Sequence, residues 1–359
     1  MERQLAQCRE LMNDAGLDAL LLRTRSNFAW MTDGRDNHIE IEFATGVADL
    51  VVFPDRVLVV TAEIEARRIA EEEIRDLPVE LVSTSWTQGV DPTLLALLRG
   101  RRVGADVPYP GATFVGPMLT RLRRRLGHTQ IEQYKGLCLD AAQVIEEVAK
   151  NIEPAQTEFS IGGRLMQGLA ERGCTPHVVL VATDERVFRY RHPIPTDKRL
   201  DKYAMLVVCA RRHGLIANVT RFVHFGELPV ELRENKEKCA YIDVRMNEAT
   251  RPGSKISDVF NTAVAAYAQV GYPDDWRLLH QGGPTGYASR EFLATPDTHD
   301  VIQTNEVYAW NPAIRGIKSE DTVLVGEDEN TFLTQTGTWP YISVDFAGKK
   351  VLRPDILVR

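Results

Sequence analysis

Residues 309–325 read AWNPAIRGIKSEDTVLV, and this stretch decides the fold of the second half of the chain. Three shorter stretches precede it: RHPIPTD at residues 191–197, GLIANVTRF at residues 214–222 and HQGGPTGY at residues 280–287. Apolar and β-branched residues surround the polar ones in two of these stretches, which is typical of strands. Their polar residues are therefore predicted to lie on or beside a sheet.

Hydrophobic periodicity predicts regular elements across the rest of this half. The predicted strands cover residues 177–183, 203–209, 214–224, 306–310 and 321–326, and the predicted helices cover residues 131–150, 157–172, 228–247 and 255–270. Helices packed on one face of an antiparallel sheet define the α+β class, which we predict here. Residues 281–304 lack periodicity and are predicted to hold the loops of a functional site.

The first half of the chain alternates strand-like and helix-like segments. The predicted strands cover residues 19–23, 49–54, 57–62 and 103–107, and the predicted helices cover residues 2–16, 63–76 and 112–126. This alternation is typical of an α/β layer. We therefore predict two domains, an α/β domain at residues 1–128 and an α+β domain at residues 129–359.

Composition narrows the class of protein. The chain has 359 residues and a net charge of −7, which argues against a nucleic-acid surface. Its five cysteines are scattered without CxxC spacing, as expected for reduced thiols in a cytoplasmic protein. No apolar run reaches the ~18 residues of a membrane helix, and no signal peptide is predicted.

In order and spacing, the four stretches resemble the M24 metallopeptidases, the pita-bread family of Xaa-Pro aminopeptidase, methionine aminopeptidase and creatinase. Residues 27–32, NFAWMT, resemble a signature of the smaller creatinase N-terminal domain. The resemblance implies a curved antiparallel pita-bread sheet in residues 129–359, preceded by that smaller α/β domain. It also implies a homodimer in which residues 33–38, including Arg35 and His38, cover the partner's pocket.

The metal enzymes of this family use five ligands: two Asp, one His and two Glu. By resemblance, these positions fall on Val207 or Cys209, Asn218, Pro284, Asn311 and Glu320. Only Glu320 is a ligand-type carboxylate, whereas two adjacent divalent cations need several anionic oxygens. We therefore predict no metal and no cofactor, with a zinc site at Cys209 and His213 or His280 as the weaker alternative.

His192 and Glu320 are the predicted catalytic residues. The sequence around His192 resembles creatinase's His-Asn-Pro-Val-Thr, and creatinase uses that histidine as a general acid/base without metal. An imidazole titrates near neutrality and is suited to moving protons at a C–N bond. Glu320 would orient water or substrate. The alternatives are that His192 only caps a loop between prolines and that Glu320 forms a structural ion pair with Arg221 or Lys318.

Eight further residues are predicted to bind substrate. Asn218 and Asn311 would hydrogen-bond a neutral amide or polarise a carbonyl oxygen. Arg221 would pair with Glu320 or with a substrate carboxylate, and Trp310 would form an aromatic wall unless it packs in the core. The other candidates, on the glycine-rich loop, are His280, Tyr287, Arg290 and Glu291.

These residues predict a metal-independent, creatinase-like hydrolase that cleaves a C–N bond of a small amide or amidine metabolite. Its partners would be that small molecule and a second copy of the chain. Three alternatives remain open at this point. They are an Xaa-Pro aminopeptidase or dipeptidase, a catalytically inactive pita-bread binding module, and a non-hydrolytic lyase or isomerase.

Overall fold

A computed structural model describes residues 1–359, which divide into two compact units, Met1–Arg124 and Arg125–Arg359. The first unit contains one β-sheet and the second contains several, and each unit has its own buried apolar core. No helix in either unit has the length and apolar composition that crossing a lipid bilayer requires.

The first unit is built on a six-stranded mixed sheet with the strand order β4-β3-β2-β1-β5-β6. Its strands are β1 Ala19–Thr24, β2 Thr45–Val52, β3 Val57–Ala62, β4 Glu80–Thr84, β5 Val103–Ala105 and β6 Ala112–Phe114. Its helices are α1 Glu2–Ala15, α2 Arg25–Met31, α3 Glu63–Arg68, α4 Asp91–Leu98 and α5 Gly116–Arg124. Strands β1 and β5 pair in parallel. The predicted α/β layer is confirmed.

Two predicted helices of this unit differ from the observed ones. Residues 112–114 form strand β6 beside β5, so the helix predicted at 112–126 begins only at Gly116. Pro117 lies in the first turn, where a fixed φ and a missing N–H are tolerated. The helix predicted at 63–76 is divided in the structure into the α-helix α3, which ends at Arg68, and a π-helical turn at Ile69–Glu73.

The second unit contains five helices and twelve strands. The helices are α6 His128–Asn151, α7 Glu158–Glu171, α8 Glu185–Arg189, α9 Val230–Ala249 and α10 Ile256–Gln269. The strands are β7 Thr175–Thr183, β8 Tyr203–Arg212, β9 Leu215–His224, β10 Gly282–Thr285, β11 Val307–Trp310, β12 Ala313–Ile314, β13 Ile317–Lys318, β14 Val323–Leu324, β15 Thr331–Phe332, β16 Tyr341–Phe346, β17 Lys349–Pro354 and β18 Ile356–Val358. The α+β class predicted for this half is confirmed.

The β8–β9 hairpin is the main frame of the second unit. A two-residue turn joins the strands, and both of its residues, His213 and Gly214, have positive φ, which matches the twist of the flanking strands. The register places Cys209 opposite Asn218 and Val207 opposite Thr220. Side chains two residues apart on a strand share a face, so Asn218 and Thr220 both lie on the face that carries the candidate site.

Two four-stranded sheets flank the apolar core of this unit. Their strand orders are β18-β9-β8-β7 and β10-β11-β14-β15. Helices α9 and α10 contribute Cys239, Ile242, Val259 and Phe260 to the core. The strands after residue 326 were not predicted. The last of them, β18, pairs in parallel with β9, and short strands of this kind carry too little periodicity to be recognised.

Candidate active site

The β8–β9 hairpin places an amide and a thiol in contact on one buried face. Asn218 is fully buried, and its side-chain oxygen accepts a hydrogen bond from Cys209 Sγ at 3.2 Å. Burial raises the pKa of the Cys209 thiol to about 12. Cys209 therefore acts as a neutral donor to the amide and not as a thiolate nucleophile or metal ligand.

Glu320 is a buried carboxylate surrounded by three donors. Its Oε2 accepts from Lys318 Nζ at 2.7 Å and from Thr220 Oγ1 at 2.7 Å, and its Oε1 accepts from Arg290 Nη2 at 2.8 Å. Burial by itself would raise the pKa of Glu320, but the charges of Lys318 and Arg290 outweigh it and lower that pKa to about 2. Glu320 is therefore ionised across the physiological range.

Arg290 connects Asn218 and Glu320, two of the ligand-like positions that retain polar side chains. Its Nη1 donates to Asn218 Oδ1 at 2.9 Å and its Nη2 donates to Glu320. Its Nε is buried and has no hydrogen-bond partner. The arrangement leaves one donor of a largely buried guanidinium unused, which is the kind of group that a ligand satisfies.

Lys318 was not among the predicted site residues, although it contacts Glu320 directly. The side chain is buried and its ammonium lies 2.7 Å from the carboxylate. Strand alternation was the available signal, because residues two apart on an extended segment point to the same side. Lys318 and Glu320 satisfy that spacing, whereas Ser319 and Asp321 point to the opposite side and contact Asp243 and Arg221.

Two histidines lie beside this charged group. The rings of His192 and His280 have centroids 5.6 Å apart and planes inclined by 36°. Burial and the charge of Arg290 lower the pKa of His280 to about 4. Burial and the charge of Lys318 also lower the pKa of His192, against the opposing effect of Glu320. Both imidazoles are therefore neutral at pH 7, and His192 is available to accept a proton.

The glycines of the glycine-rich stretch, Gly282 and Gly283, approach neighbouring backbone too closely for a larger residue. A Cβ on Gly282 would lie 2.2 Å from the carbonyl oxygen of Ala309, and one on Gly283 would lie 2.6 Å from that of Phe292. Both have positive φ, at 97° and 151°. These glycines are needed because β10 and its loop approach neighbouring backbone closely.

Asn311 follows β11 and lies over the first of these glycines. Its side-chain oxygen is buried without a hydrogen-bond partner and would be 2.9 Å from a Cβ on Gly282. The side chain is 1% exposed. The predicted contact of Asn311 with substrate remains a prediction, and its unsatisfied oxygen is the feature that supports it.

Two of the predicted substrate contacts are wrong. Arg221 points away from Glu320, since it lies one residue after Thr220 on β9, and it donates to Asp321 and to the Thr334 carbonyl instead. Trp310 packs in the core against Tyr308 and donates its Nε1 hydrogen to a threonine hydroxyl. Both side chains are 1% exposed and have structural roles.

Tyr287 and Glu291 hold the loop that carries Arg290. Glu291 Oε1 accepts from the backbone N–H of Tyr287 at 2.9 Å, and the Tyr287 hydroxyl accepts from Gln130 Nε2 at 3.0 Å. Tyr287 is 2% exposed and positions this loop through these hydrogen bonds, and its predicted contact with substrate stays a prediction. Glu291 is only half-buried, and its predicted contact with substrate stays a prediction.

The residues present do not fit a pair of metal ions. The five family positions hold one carboxylate, and two protein cations already neutralise it. No group of three or more His, Cys, Asp or Glu side chains is arranged to hold a metal ion. Val207 is a core residue, and Cys209 bonds Asn218 as a thiol, so neither supplies the missing first ligand. The zinc alternative at Cys209 fails for the same reason.

Comparison with known proteins agrees with this architecture. The sequence profile of Metallopeptidase family M24 matches residues 132–327, and that of the Creatinase/Prolidase N-terminal domain matches residues 4–145. The fold is the pita-bread fold, preceded by a creatinase-type N-terminal domain. The Metallopeptidase family M24 profile covers more than half of the chain. The chain therefore belongs to Metallopeptidase family M24, a family of hydrolases.

Solved structures with the same fold include a prolidase and an Xaa-Pro dipeptidase. The prolidase of Pyrococcus horikoshii has a TM-score of 0.80 at 16% identity, with 93% of this chain and 98% of that chain covered. The Xaa-Pro dipeptidase of Bacillus anthracis has a TM-score of 0.79 at 14% identity, with 99% of each chain covered. At these identities the likeness shows the fold alone.

One curated relative is an uncharacterized peptidase of Staphylococcus saprophyticus. It is 24% identical over 213 residues, which correspond to 53% of this chain and 61% of that protein. The match therefore spans less than two thirds of the relative.

The electrostatic coupling of His192 to its neighbours leads to a pH prediction. Because Lys318 lowers the pKa of His192, Lys318→Met is expected to raise it, so that the ring becomes protonated at a higher pH than in the wild type. The measurement is an NMR titration of the His192 ring protons. Lys349→Met, which removes an exposed lysine paired with Glu329, is the control and should leave the titration unchanged. A lower pKa in Lys318→Met would contradict the prediction.

Proposed function

We propose that this protein hydrolyses the C–N bond of a small amide with its own side chains in place of metal ions. The observation that carries the proposal is the ion cluster of Glu320 with Lys318 and Arg290, at 2.7 and 2.8 Å. It lies at the family's one retained ligand position. Two fixed cations there supply positive charge of the kind that divalent ions supply in metallohydrolases.

The chemistry assigned to each residue follows from its charge. Neutral His192 removes a proton from water, and the resulting oxygen attacks the carbonyl carbon of the amide. Lys318 and Arg290 stabilise the negative charge that develops on the carbonyl oxygen. The protonated imidazole then gives its proton to the leaving nitrogen as the C–N bond breaks, which yields a carboxylic acid and an amine.

Charge separates amides from amidines as substrates. Two cations face one carboxylate in this cluster, and the neighbouring imidazoles are neutral, so positive charge is in excess. A cationic amidine or guanidinium would be repelled, whereas a neutral amide or an anionic substrate would not. We therefore restrict the expected substrates to amides, a class that includes the peptide bonds cleaved by the family's peptidases.

A metal-dependent Xaa-Pro dipeptidase is the second candidate. It is supported by family membership and by the structural likeness to a prolidase and an Xaa-Pro dipeptidase. The side chains at the ligand positions argue against it, because neither Asn218 nor Asn311 supplies negative charge to a divalent cation.

A metal-content and activity experiment separates the two candidates. The purified protein is analysed by mass spectrometry after dialysis against manganese, cobalt and zinc, and assayed with Ala-Pro, N-acetylvaline and creatine. We expect substoichiometric metal and amide turnover that persists in EDTA. Two ions per subunit, or turnover that requires manganese or cobalt, would establish the dipeptidase and overturn our proposal. His192→Ala, assayed in parallel, excludes a contaminating peptidase.

We also propose that two copies of the chain associate. The support is an exposed apolar segment of the first unit, in which Ile39, Ile41 and Phe43 are 56%, 55% and 59% exposed. Apolar side chains of this size on a surface favour burial against another protein. Light scattering is expected to give a dimer mass, and a change of all three residues to serine is expected to give a monomer.

A further inference from the structure

The Lys318–Asp321 segment begins at the last residue of β13 and ends two residues before β14. Lys318 and Glu320 face the candidate site and form an ion pair at 2.7 Å. The rest of the segment lies outside the strands, and single backbone hydrogen bonds link it to Pro312 and to Thr220. No ladder of sheet hydrogen bonds fixes its rotation, so the side chains on its other face contribute to holding the ion pair in place.

Ser319 lies on that other face and contacts a carboxylate of helix α9. Its hydroxyl donates to Asp243 Oδ2 at 2.6 Å. Both side chains are buried, so water does not compete for this hydrogen bond. A buried hydrogen bond to an ionised acceptor is short and directional. It therefore holds the Ser319 side chain, and with it the local backbone, in one orientation.

Arg353 of strand β17 connects the second residue of this face to the same carboxylate. Its Nε donates to Asp243, and its Nη2 donates to Asp321 Oδ2 at 2.7 Å. The guanidinium is fully buried, with its central carbon 4.2 Å from the centre of the Phe332 ring. Because the guanidinium fork is planar and rigid, it fixes the two carboxylates relative to each other.

We propose that Asp243 is a positioning residue, which fixes the ion pair of the Lys318–Asp321 segment through Ser319. The inference rests on the proposed function, since it assigns a supporting residue to the same site. Asp243 acts from helix α9, behind the segment, and its effect reaches the site through the backbone. A displacement of about 1 Å in a site of this kind lowers a rate about 10²-fold, so the hydrogen bonds behind the reacting groups matter for catalysis.

Ser319→Ala tests this connection without leaving a buried group unpaired. Asp243 keeps its hydrogen bonds from Arg353 and from Asn247, so its charge stays compensated. The variant is therefore expected to fold, which circular dichroism checks.

The readout is the His192 ring, because it responds to the position of the ion pair. The charge of Lys318 lowers the pKa of His192 more strongly than the charge of Glu320 raises it. Once Ser319→Ala releases the segment, we expect the pKa of His192 to rise towards its ordinary value in an NMR titration. For amide hydrolysis we expect kcat to fall about 10- to 100-fold at nearly unchanged KM.

Asn247→Ala is the matched control, because it removes a donor from the other oxygen of the same carboxylate. Asn247 Nδ2 donates to Asp243 Oδ1 at 2.7 Å, and its loss leaves the Ser319 hydrogen bond in place. We expect a wild-type His192 titration and a wild-type kcat, even if this variant melts at as low a temperature as Ser319→Ala. An unchanged titration in Ser319→Ala, or an equal shift in both variants, would overturn the proposal.

Ser319→Cys supplies an intermediate case and a second comparison should Ser319→Ala not fold. A thiol is a weaker donor than a hydroxyl, so its shift should lie between that of the wild type and that of Ser319→Ala. A wild-type titration in Ser319→Cys, or a shift exceeding that of Ser319→Ala, would count against Asp243. The titration needs no substrate. A shifted titration in a protein without amide turnover would refute the proposed function alone, and turnover at the same kcat in Ser319→Ala would refute this inference alone.

Discussion

Replacing His192 by alanine is expected to reduce kcat for amide hydrolysis by about 10²- to 10⁴-fold, which is the usual contribution of a positioned general acid/base. The reason is geometric and electrostatic. The imidazole lies beside the ion cluster of Lys318, Arg290 and Glu320, and burial together with Lys318 keeps its pKa below the usual value, so that it is neutral at pH 7. The measurement is steady-state kinetics with whichever amide the panel identifies.

Two further readouts distinguish proton transfer from a structural role. Free imidazole added to His192→Ala should restore part of the activity, because it can enter the space of the missing ring and move the same proton. His299→Ala removes an exposed histidine of the same unit and should keep wild-type kinetics. Wild-type turnover in His192→Ala, or no response to imidazole in a folded variant, would count against His192 as the acid/base.

Asp321→Asn is expected to lower the free energy of unfolding by about 3–5 kcal/mol. Asp321 is 2% exposed and accepts from Arg221 at 3.0 Å and from Arg353 at 2.7 Å, both of which are buried guanidinium groups. Removing the negative charge of Asp321 leaves each buried guanidinium with one carboxylate partner in place of two. Arg221 keeps Glu146, and Arg353 keeps Asp243.

Thermal unfolding followed by calorimetry measures this effect. For a unit of this size, the loss corresponds to a decrease in the transition midpoint of roughly 6–20 °C. Asp328→Asn changes an exposed aspartate of the same unit and should alter stability by no more than about 0.5 kcal/mol. A similar, small effect of both substitutions would mean that the buried network contributes little to stability.

The two long strands of the second unit, β8 and β9, could be predicted from the sequence because apolar runs and turn residues are local features. Continuous apolar runs around residues 203–209 and 214–224 predicted the two long strands, and the His213–Gly214 pair supplies the turn between them. The spacing of Asn218 and Glu320 within motifs identified both as members of one site. The structure brings them together through the guanidinium of Arg290.

The side-chain pairing within the site was not accessible in the same way. Arg221 was assigned to Glu320 on the basis of opposite charge, although its position one residue after Thr220 directs it to the other face of the strand. Lys318 was considered only as a structural alternative, because one lysine near a glutamate is uninformative without knowledge of the local backbone. Contacts between residues 100 positions apart depend on tertiary packing, and no single-sequence periodicity reports them.

The positive charge of the Lys318–Glu320–Arg290 cluster comes from side chains of the protein and not from a bound ion. A divalent ion is held by an equilibrium, so its occupancy depends on the free concentration of that ion and on competition from others. An ammonium or a guanidinium is attached covalently to the chain and is present at full occupancy from the moment of folding. The catalytic activity of a protein organised in this way would not change under metal starvation or on insertion of the wrong metal. The total activity would depend only on the amount of protein.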